Sequence, residues 1–308
     1  MSDCINDPYA YLLVHFLEDP DGYAERIYLD VSDGDNPHRW IPLNGGRPVL
    51  TSDIGTTGVR DPHIIRNPQT GMWYIIATDL RVFGGDNGGW YEWSHHASTN
   101  LIVWQSPDLL HWEGPRMLDV SQRADGTHMQ LGMAWACECL WVPDYYPEEY
   151  EGDRGAFVMY WSSTVFDDAD TAHDDNSVTS SVLWGATTDF TQDTFEFGGV
   201  LIDTGGDSID TTMVQRPLPD GGCARIASPK TIPSATAFGW TTPMRGAGGN
   251  PTRNGMSYNV ISVRIMWKTA IPAVWKVPRY SLTITTTVGR TTNGICSWTS
   301  YRQSATSP

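Results

Sequence analysis

GVRDPHIIRNPQTGMWYIIATDL, residues 58–80, sets two apolar runs on either side of a turn and puts an Arg–Asp pair at the mouth of the first. An ionised carboxylate is costly to bury unless it is paired. Asp61, directly ahead of Pro62 and His63-Ile64-Ile65, therefore has two readings. In one it is a solvated charge at a strand edge, with Pro62 blocking ladder pairing. In the other it is held at the end of an inner strand, facing a pocket where a carboxylate does acid or base work. The rest of the chain has to decide between them.

Working outward, helical periodicity is weak, and short alternating or apolar runs separated by Gly, Asp, Asn and Pro recur through the first two thirds. The pattern is all-β, and the runs are grouped. IYLDVSDGDNPHRW (27–40), LIVWQSPDLLHW (101–112) and SVLWGATTDFTQDTF (181–195) each carry a strand, a Ser/Thr and Asp turn, then an aromatic. YIIATDL and FVMYWSST, apolar strands after turns, stand ahead of the second and third copies. RDPHII, WACECLWV and IDTTMV open successive units about 74 residues apart. A period this long, with about four strands per unit, predicts the blades of a β-propeller rather than a sandwich.

The 308 residues suffice for one or two domains. Charged residues are few, and 14 are Trp, which suits a surface that stacks on sugar rings and equally a tightly packed β protein. A formal net charge of −16 argues against nucleic acid as partner. No apolar run approaches a membrane span, and MSDCINDPYAY lacks the basic start and apolar stretch of a secretory signal, so a cytoplasmic protein is expected. Five Cys make an odd count without metal-ligand spacing, and Cys137 and Cys139 read as small packing residues on a strand.

After Asp220 the character of the chain changes. All 36 acidic residues and all eight His lie before that point, whereas residues 221–308 hold ten Lys and Arg and no acid. A basic nucleic-acid-binding tail fits poorly, because the charges are scattered. A disordered linker fits poorly beside Trp240, Trp267 and Trp275. The remaining reading is translation in a shifted frame. Codons exist for Trp275-Lys276-Val277-Pro278-Arg279-Tyr280-Ser281 that, read two bases later, give Glu-Gly-Pro-Ala-Leu-Phe. Ile295-Cys296-Ser297-Trp298-Thr299 permits Leu-Phe-Val-Asp-Gln in the same frame. The expected division is a blade region over residues 1–215 and an irregular tail over 216–308.

YLLVHF, IYLDVSDG, PVLTS, the quoted 58–80 stretch, WACECLW and SIDTTMVQ together resemble glycoside hydrolase family 43, over residues 9–215. The resemblance implies a five-bladed β-propeller, here incomplete with about three regular blades, that releases arabinose or xylose from plant-derived oligosaccharides. It implies an inverting mechanism with Asp61 as general base and Asp210 as the carboxylate that tunes pKa and orients substrate. Arg60, Trp135 and Glu138 become substrate-binding candidates. Where the family's branch reads Trp-Ala-Pro-Glu, this chain has Cys137. The general acid of the Glu-Gly-Pro-like turn falls at Lys276, so the chain as written is expected to be inactive. No cofactor is required; structural calcium occurs in the family, but nothing in this sequence supports it. The partner implied is an oligosaccharide, and the oligomeric state stays open.

Two decoys accompany this reading. Glu113-Gly114-Pro115 spells the acid motif but follows SPDLLHW at an outer strand, which reads as a solvated turn. FLEDPDG, VRDP and CEC superficially match the motifs of the retaining β-fructosidases, with Asp19 as nucleophile, Asp61 as stabiliser and Glu138 as acid/base. Too few residues separate Asp19 from Asp61 for the blade that scheme needs. A catalytically silent carbohydrate-binding propeller is the alternative from another class. The frame reading predicts one base inserted or missing around codons 214–230. Resequencing that stretch of the gene checks it, and an intact frame there would end the argument about the tail.

Overall fold

The computed structural model describes residues 10–17, 25–34, 36–84, 88–217, 223–231, 280–291 and 294–305. In chain order the strands are β1 (Leu12–His15), β2 (Tyr28–Asp33), β3 (Asn36–Pro42), β4 (Val59–Arg66) and β5 (Trp73–Asp79). A single turn-and-a-half helix, α1 (Trp90–His95), precedes β6 (Asn100–Ser106) and β7 (Glu113–Asp119). Then come β8 (Trp135–Val142), β9 (Ala156–Thr164), β10 (Ser180–Thr187), β11 (Glu196–Ile202), β12 (Ser208–Pro217), β13 (Cys223–Thr231), β14 (Tyr280–Thr291) and β15 (Gly294–Ala305). The all-β expectation holds.

The chain divides into two compact units. One contains β1–β3 and β14–β15; the other runs over Phe16–Ile27 and Leu50–Gly239. In the first, β1, β2 and β3 form an antiparallel sheet in which Tyr11 N–H donates to Ser32 Oγ at 2.6 Å, and β14 pairs with β15. The second contains the propeller blades. β4-β5-β6-β7 and β8-β9-β10-β11 are four-stranded up-and-down antiparallel sheets, and β12-β13 begins a third. Its ladder runs from Ser208 to Thr231, across residue 216.

The repeat seen in the sequence has a physical basis in the turn after the third strand of each full blade. Ser106 Oγ accepts from Leu109 N–H at 2.8 Å, and Thr187 Oγ1 accepts from Phe190 N–H at the same distance. Asp108 and Asp189 cap the next N–H groups: Leu110 at 2.9 Å and Thr191 at 3.0 Å. Leu109 and Phe190 sit at φ 64° and 58°, which drives each apolar side chain inward. The second of these turns also locks the blades together. Arg116 of β7 donates to the carbonyl of Asp189 at 2.7 Å, and Gln192 exchanges hydrogen bonds with the Asp119 backbone at 2.9 and 3.1 Å.

Glu113-Gly114-Pro115 opens β7, with Glu113 exposed and accepting from Gln105 at 2.9 Å. It is a strand start rather than a turn. A Cβ at Gly114 would press on Val103 O at 2.8 Å, which is why that position is glycine. The core between the two full blades is aromatic: Phe157 meets Phe190 at 4.7 Å, Trp141 at 4.9 Å and Tyr74 at 5.6 Å between ring centroids. Phe157 is fully buried. Truncating it removes contacts from both blades at once. Phe157→Ala is expected to lower stability by about 3–5 kcal/mol, read as a shift of the urea midpoint, with a loss below 1 kcal/mol showing that the blades do not share this core.

Candidate active site

β4, β8 and β12 are the first strands of their sheets, and β8 packs against both β4 and β12. Each breaks register at the corresponding place: between Arg60 and His63, between Trp135 and Glu138, and between Ile209 and Thr212. The residue at each break is left-handed, Asp61 at φ 49°, Ala136 at 48° and Asp210 at 50°. An L-residue there costs on the order of 1–2 kcal/mol, least for Asp and Asn. The bulge re-aims that one side chain. Asp61, Ala136 and Asp210 are half-buried, whereas Pro62, Cys137 and Thr211, next along each strand, are buried.

Side chains of the second strands tie these bulges together. Thr78 of β5, fully buried, donates from Oγ1 to Asp61 Oδ2 at 3.3 Å and accepts from Ala136 N–H at 2.8 Å. One hydroxyl thus holds the Asp61 carboxylate and the next blade's bulge. Between β8 and β12 the tie is built differently. Tyr160 OH donates to Glu138 Oε2 at 3.0 Å and accepts from Met213 N–H at 3.0 Å. Thr212 Oγ1 donates to the same Glu138 oxygen at 3.0 Å. Burial, then the Glu138 charge, pushes the Tyr160 hydroxyl well above its ordinary range, so it stays a donor.

Arg60 is buried on the other side of β4 with its guanidinium 5.0 Å over the Phe16 ring and its Nε 3.8 Å from Glu25 Oε1. Glu25 is itself buried and accepts from the Val82 and Phe83 N–H groups at 3.1 Å. The neighbouring loop is nailed to β5: Asp79 accepts from Thr56 N–H and Oγ1, both at 2.8 Å, and Gly55 at φ 64° leaves no room for a Cβ beside that carboxylate. His63, the residue after Pro62, is buried, and burial lowers its pKa to about 4. Burial likewise raises the Cys137 and Cys139 thiols well above their usual range, which makes both inert packing residues on β8, as expected from their alternation.

The five candidate residues thus fall on two adjoining inner strands and the start of a third. Asp61 and Asp210 occupy matching bulge positions; Trp135 precedes the third such position, Ala136, and Glu138 follows it. Glu25, Thr78, Tyr160 and Thr212 were not among the candidates. Asp19 and Lys276 lie outside the described residues. No group of three or more His, Cys, Asp and Glu among the described residues is placed to hold a metal ion.

A family profile described as "Probable glycosyl hydrolase domain", from the family-43-related group, matches residues 7–226. The chain belongs to this glycosyl hydrolase family. An α-L-arabinofuranosidase of Bifidobacterium longum subsp. longum is 28% identical over 216 residues, which is 66% of this chain and 18% of that protein. The chain therefore spans about a fifth of the length of the curated relative it matches. A thermostable family-43 glycoside hydrolase of known structure is 19% identical, covering 57% of this chain and 44% of the other, with a TM-score of 0.34. A family-32 β-fructofuranosidase from Bombyx mori in complex with sucrose is 21% identical, covering 71% and 40%, with a TM-score of 0.40. No helix among the described residues of this family member is long and apolar enough to cross a membrane.

The pKa of His63 has a consequence for stability. Folding holds the ring neutral down to about pH 4, while the unfolded chain protonates it near 6.5. Unfolding therefore takes up a proton between these values, so the contribution is present above pH 6.5 and is lost as pH falls through about 4. The loss amounts to roughly 3 kcal/mol at full protonation. Urea midpoints measured from pH 7 to pH 4 should fall more steeply in the wild type than in His63→Phe, and parallel curves would show that His63 does not titrate on unfolding.

Proposed function

We propose that the chain carries the base side of an inverting glycosidase site that takes terminal α-L-arabinofuranosyl or β-xylosyl units of plant-derived oligosaccharides. The observation that carries this reading is the pair of carboxylates, Asp61 and Asp210, on matching left-handed bulges of the two first strands that flank β8. Two half-buried carboxylates at a strand end, one with a hydroxyl donor on it, are what a base needs in order to stay ionised beside a sugar. Asp61 takes a proton from water as that water's oxygen attacks the anomeric carbon; the glycosidic bond breaks and the leaving oxygen takes a proton from a general acid. Inversion needs base and acid about 6.5–9.5 Å apart, with room for the water between them. Asp210 sets the electrostatics and holds a substrate hydroxyl. Trp135 supplies an indole face to the sugar, and Arg60 orders the entry to β4 through its pair with Glu25. The arabinofuranosyl preference rests on the Bifidobacterium relative's name.

The general acid belongs in the Glu-Gly-Pro turn that the shifted frame restores at Lys276, so the 308-residue chain binds sugar without appreciable turnover. A frame-corrected protein hydrolyses aryl α-L-arabinofuranosides or β-xylosides with inversion of the anomeric centre, read by proton NMR of the first-formed product. Asp61→Asn in that protein lowers kcat by about 10²–10⁴-fold with little change in KM. Near-normal turnover in Asp61→Asn would reassign the base, and ordinary rates from the uncorrected chain would overturn both the acid's place and the frame reading.

A further inference from the structure

We infer that α1, inserted between the second and third strands of the first full blade, is a sugar-stacking platform that binds the pyranose ring next to the glycosyl unit held at Asp61 and Asp210. The inference rests on the proposed glycosidase site and extends it to the neighbouring sugar of the substrate.

Trp90 and Tyr91, on the first turn of α1, are 60% and 42% exposed, a large apolar area for one short helix. Exposed aromatic surface of this kind calls for a partner. Trp90 does not lie alone. Its ring stands edge-on to Trp93 at 5.1 Å and edge-on to Trp135 at 6.1 Å, with interplanar angles of 86° and 79°. The three indoles therefore form a stepped aromatic surface with faces at right angles. Trp135 is the residue immediately before Ala136, whose N–H is held by Thr78, and the Thr78 hydroxyl donates to Asp61. Platform and carboxylate are thus joined by one hydroxyl and one peptide.

The helix is fixed in this place by its last turn. Ala97 N–H donates to Gly132 O at 2.9 Å, and a side chain at Gly132 would collide with the backbone of Ser94 and His95. His173 reaches back to His95 O at 2.8 Å while stacking on Phe166 at 4.3 Å, and His96 Nε2 lies 3.0 Å from Ala172 O. All of these partners come from the loops around β8 and β9 of the next blade. The last turn of α1 is thereby held while its first turn keeps Trp90 and Tyr91 open.

A second observation points to a polar ligand. The Trp135 indole N–H is buried with no hydrogen-bond acceptor. Leaving a donor in that state costs on the order of 1–3 kcal/mol. A sugar ring offers an apolar C–H face to the indole planes and hydroxyl oxygens at its rim, so one ligand satisfies both the exposed face of Trp90 and the orphan donor of Trp135 once Trp90 swings off its edge contact. A protein partner would match the apolar face but would have no reason to be centred on Asp61.

The test uses the full 308-residue chain and binding alone, so it does not depend on turnover. Affinities for xylotetraose and for methyl α-L-arabinofuranoside are measured by calorimetry in the wild type and in Trp90→Ala, Trp90→Tyr and Trp93→Ala. The platform predicts that the preference for xylotetraose over the methyl glycoside falls about tenfold in Trp90→Ala, the loss of roughly one good aromatic stacking contact, and is largely restored in Trp90→Tyr. An unchanged preference in Trp90→Ala overturns the platform while leaving the site reading intact. An equal weakening of both ligands also overturns it, since that marks Trp90 as a structural support. If the wild type binds neither ligand, the glycosidase reading of the site falls and the platform falls with it.

Discussion

The left-handed bulge on the first strand of each blade is the constraint on which the site depends. A regular strand alternates its side chains between two faces, so a carboxylate at the end of β4 or β12 would point into a sheet-packing layer or out along the blade. One extra residue with φ near 50° breaks the alternation and frees a single side chain per strand. The conformation is unfavourable for L-residues, and the ladder on either side over-determines it. His63-Ile64-Ile65 pairs with β5 immediately beyond the Asp61 break, as Glu138 to Val142 pairs with β9 beyond Ala136.

Ala136 sharpens the point. Alanine has no side-chain hydrogen bond to offset a left-handed φ, yet it adopts the angle that Asp61 and Asp210 adopt. The blade geometry sets the angle, and the residue identity decides only whether that position carries a function. Ser162 stands opposite Trp135 as Thr78 stands opposite Arg60. Thr78 has a carboxylate to donate to; the Ser162 hydroxyl is buried without a partner. The two blades thus share a scaffold and differ in whether the scaffold is equipped.

What was legible in the sequence follows the range of the interaction behind it. The Ser106 and Thr187 turns close within three residues, so their spacing announced the blades directly. Asp61 stood out as a candidate because RDP places an acid beside a strand that would otherwise read as buried, whereas Asp210 came from the family resemblance of SIDTTMVQ. Glu25, Thr78 and Tyr160 left no such mark. Their partners lie far along the chain, 57 residues away for Val82 on Glu25, 58 for Ala136 on Thr78 and 53 for Met213 on Tyr160, and nothing local in a threonine or tyrosine inside an apolar strand signals that role. Glu113 is the reverse case, a motif match that its outer-strand context already set aside in the sequence. Its Glu-Gly-Pro triplet carried the right letters, but on an outer strand where the glycine serves close packing against Val103.

Carrying each carboxylate on a different blade makes the proposed chemistry depend on blade contacts. The Asp61 carboxylate accepts from the Thr78 hydroxyl, whose orientation is set by accepting from Ala136 N–H in the next blade. Asp210 stands two residues before Thr212, which is bound to Glu138, and three before Met213, which is bound to Tyr160. A slip between β4 and β8 would therefore free the Thr78 hydroxyl to turn, and a slip between β8 and β12 would take the Thr212 hydroxyl from Glu138 and the Met213 N–H from Tyr160. The penalty for misplacing a carboxylate is thus built into the blade interface itself. The aromatic contacts of Tyr74 with Phe157 and Phe190 resist a slip between the two full blades. The proposed site is held in register by the packing that builds the fold.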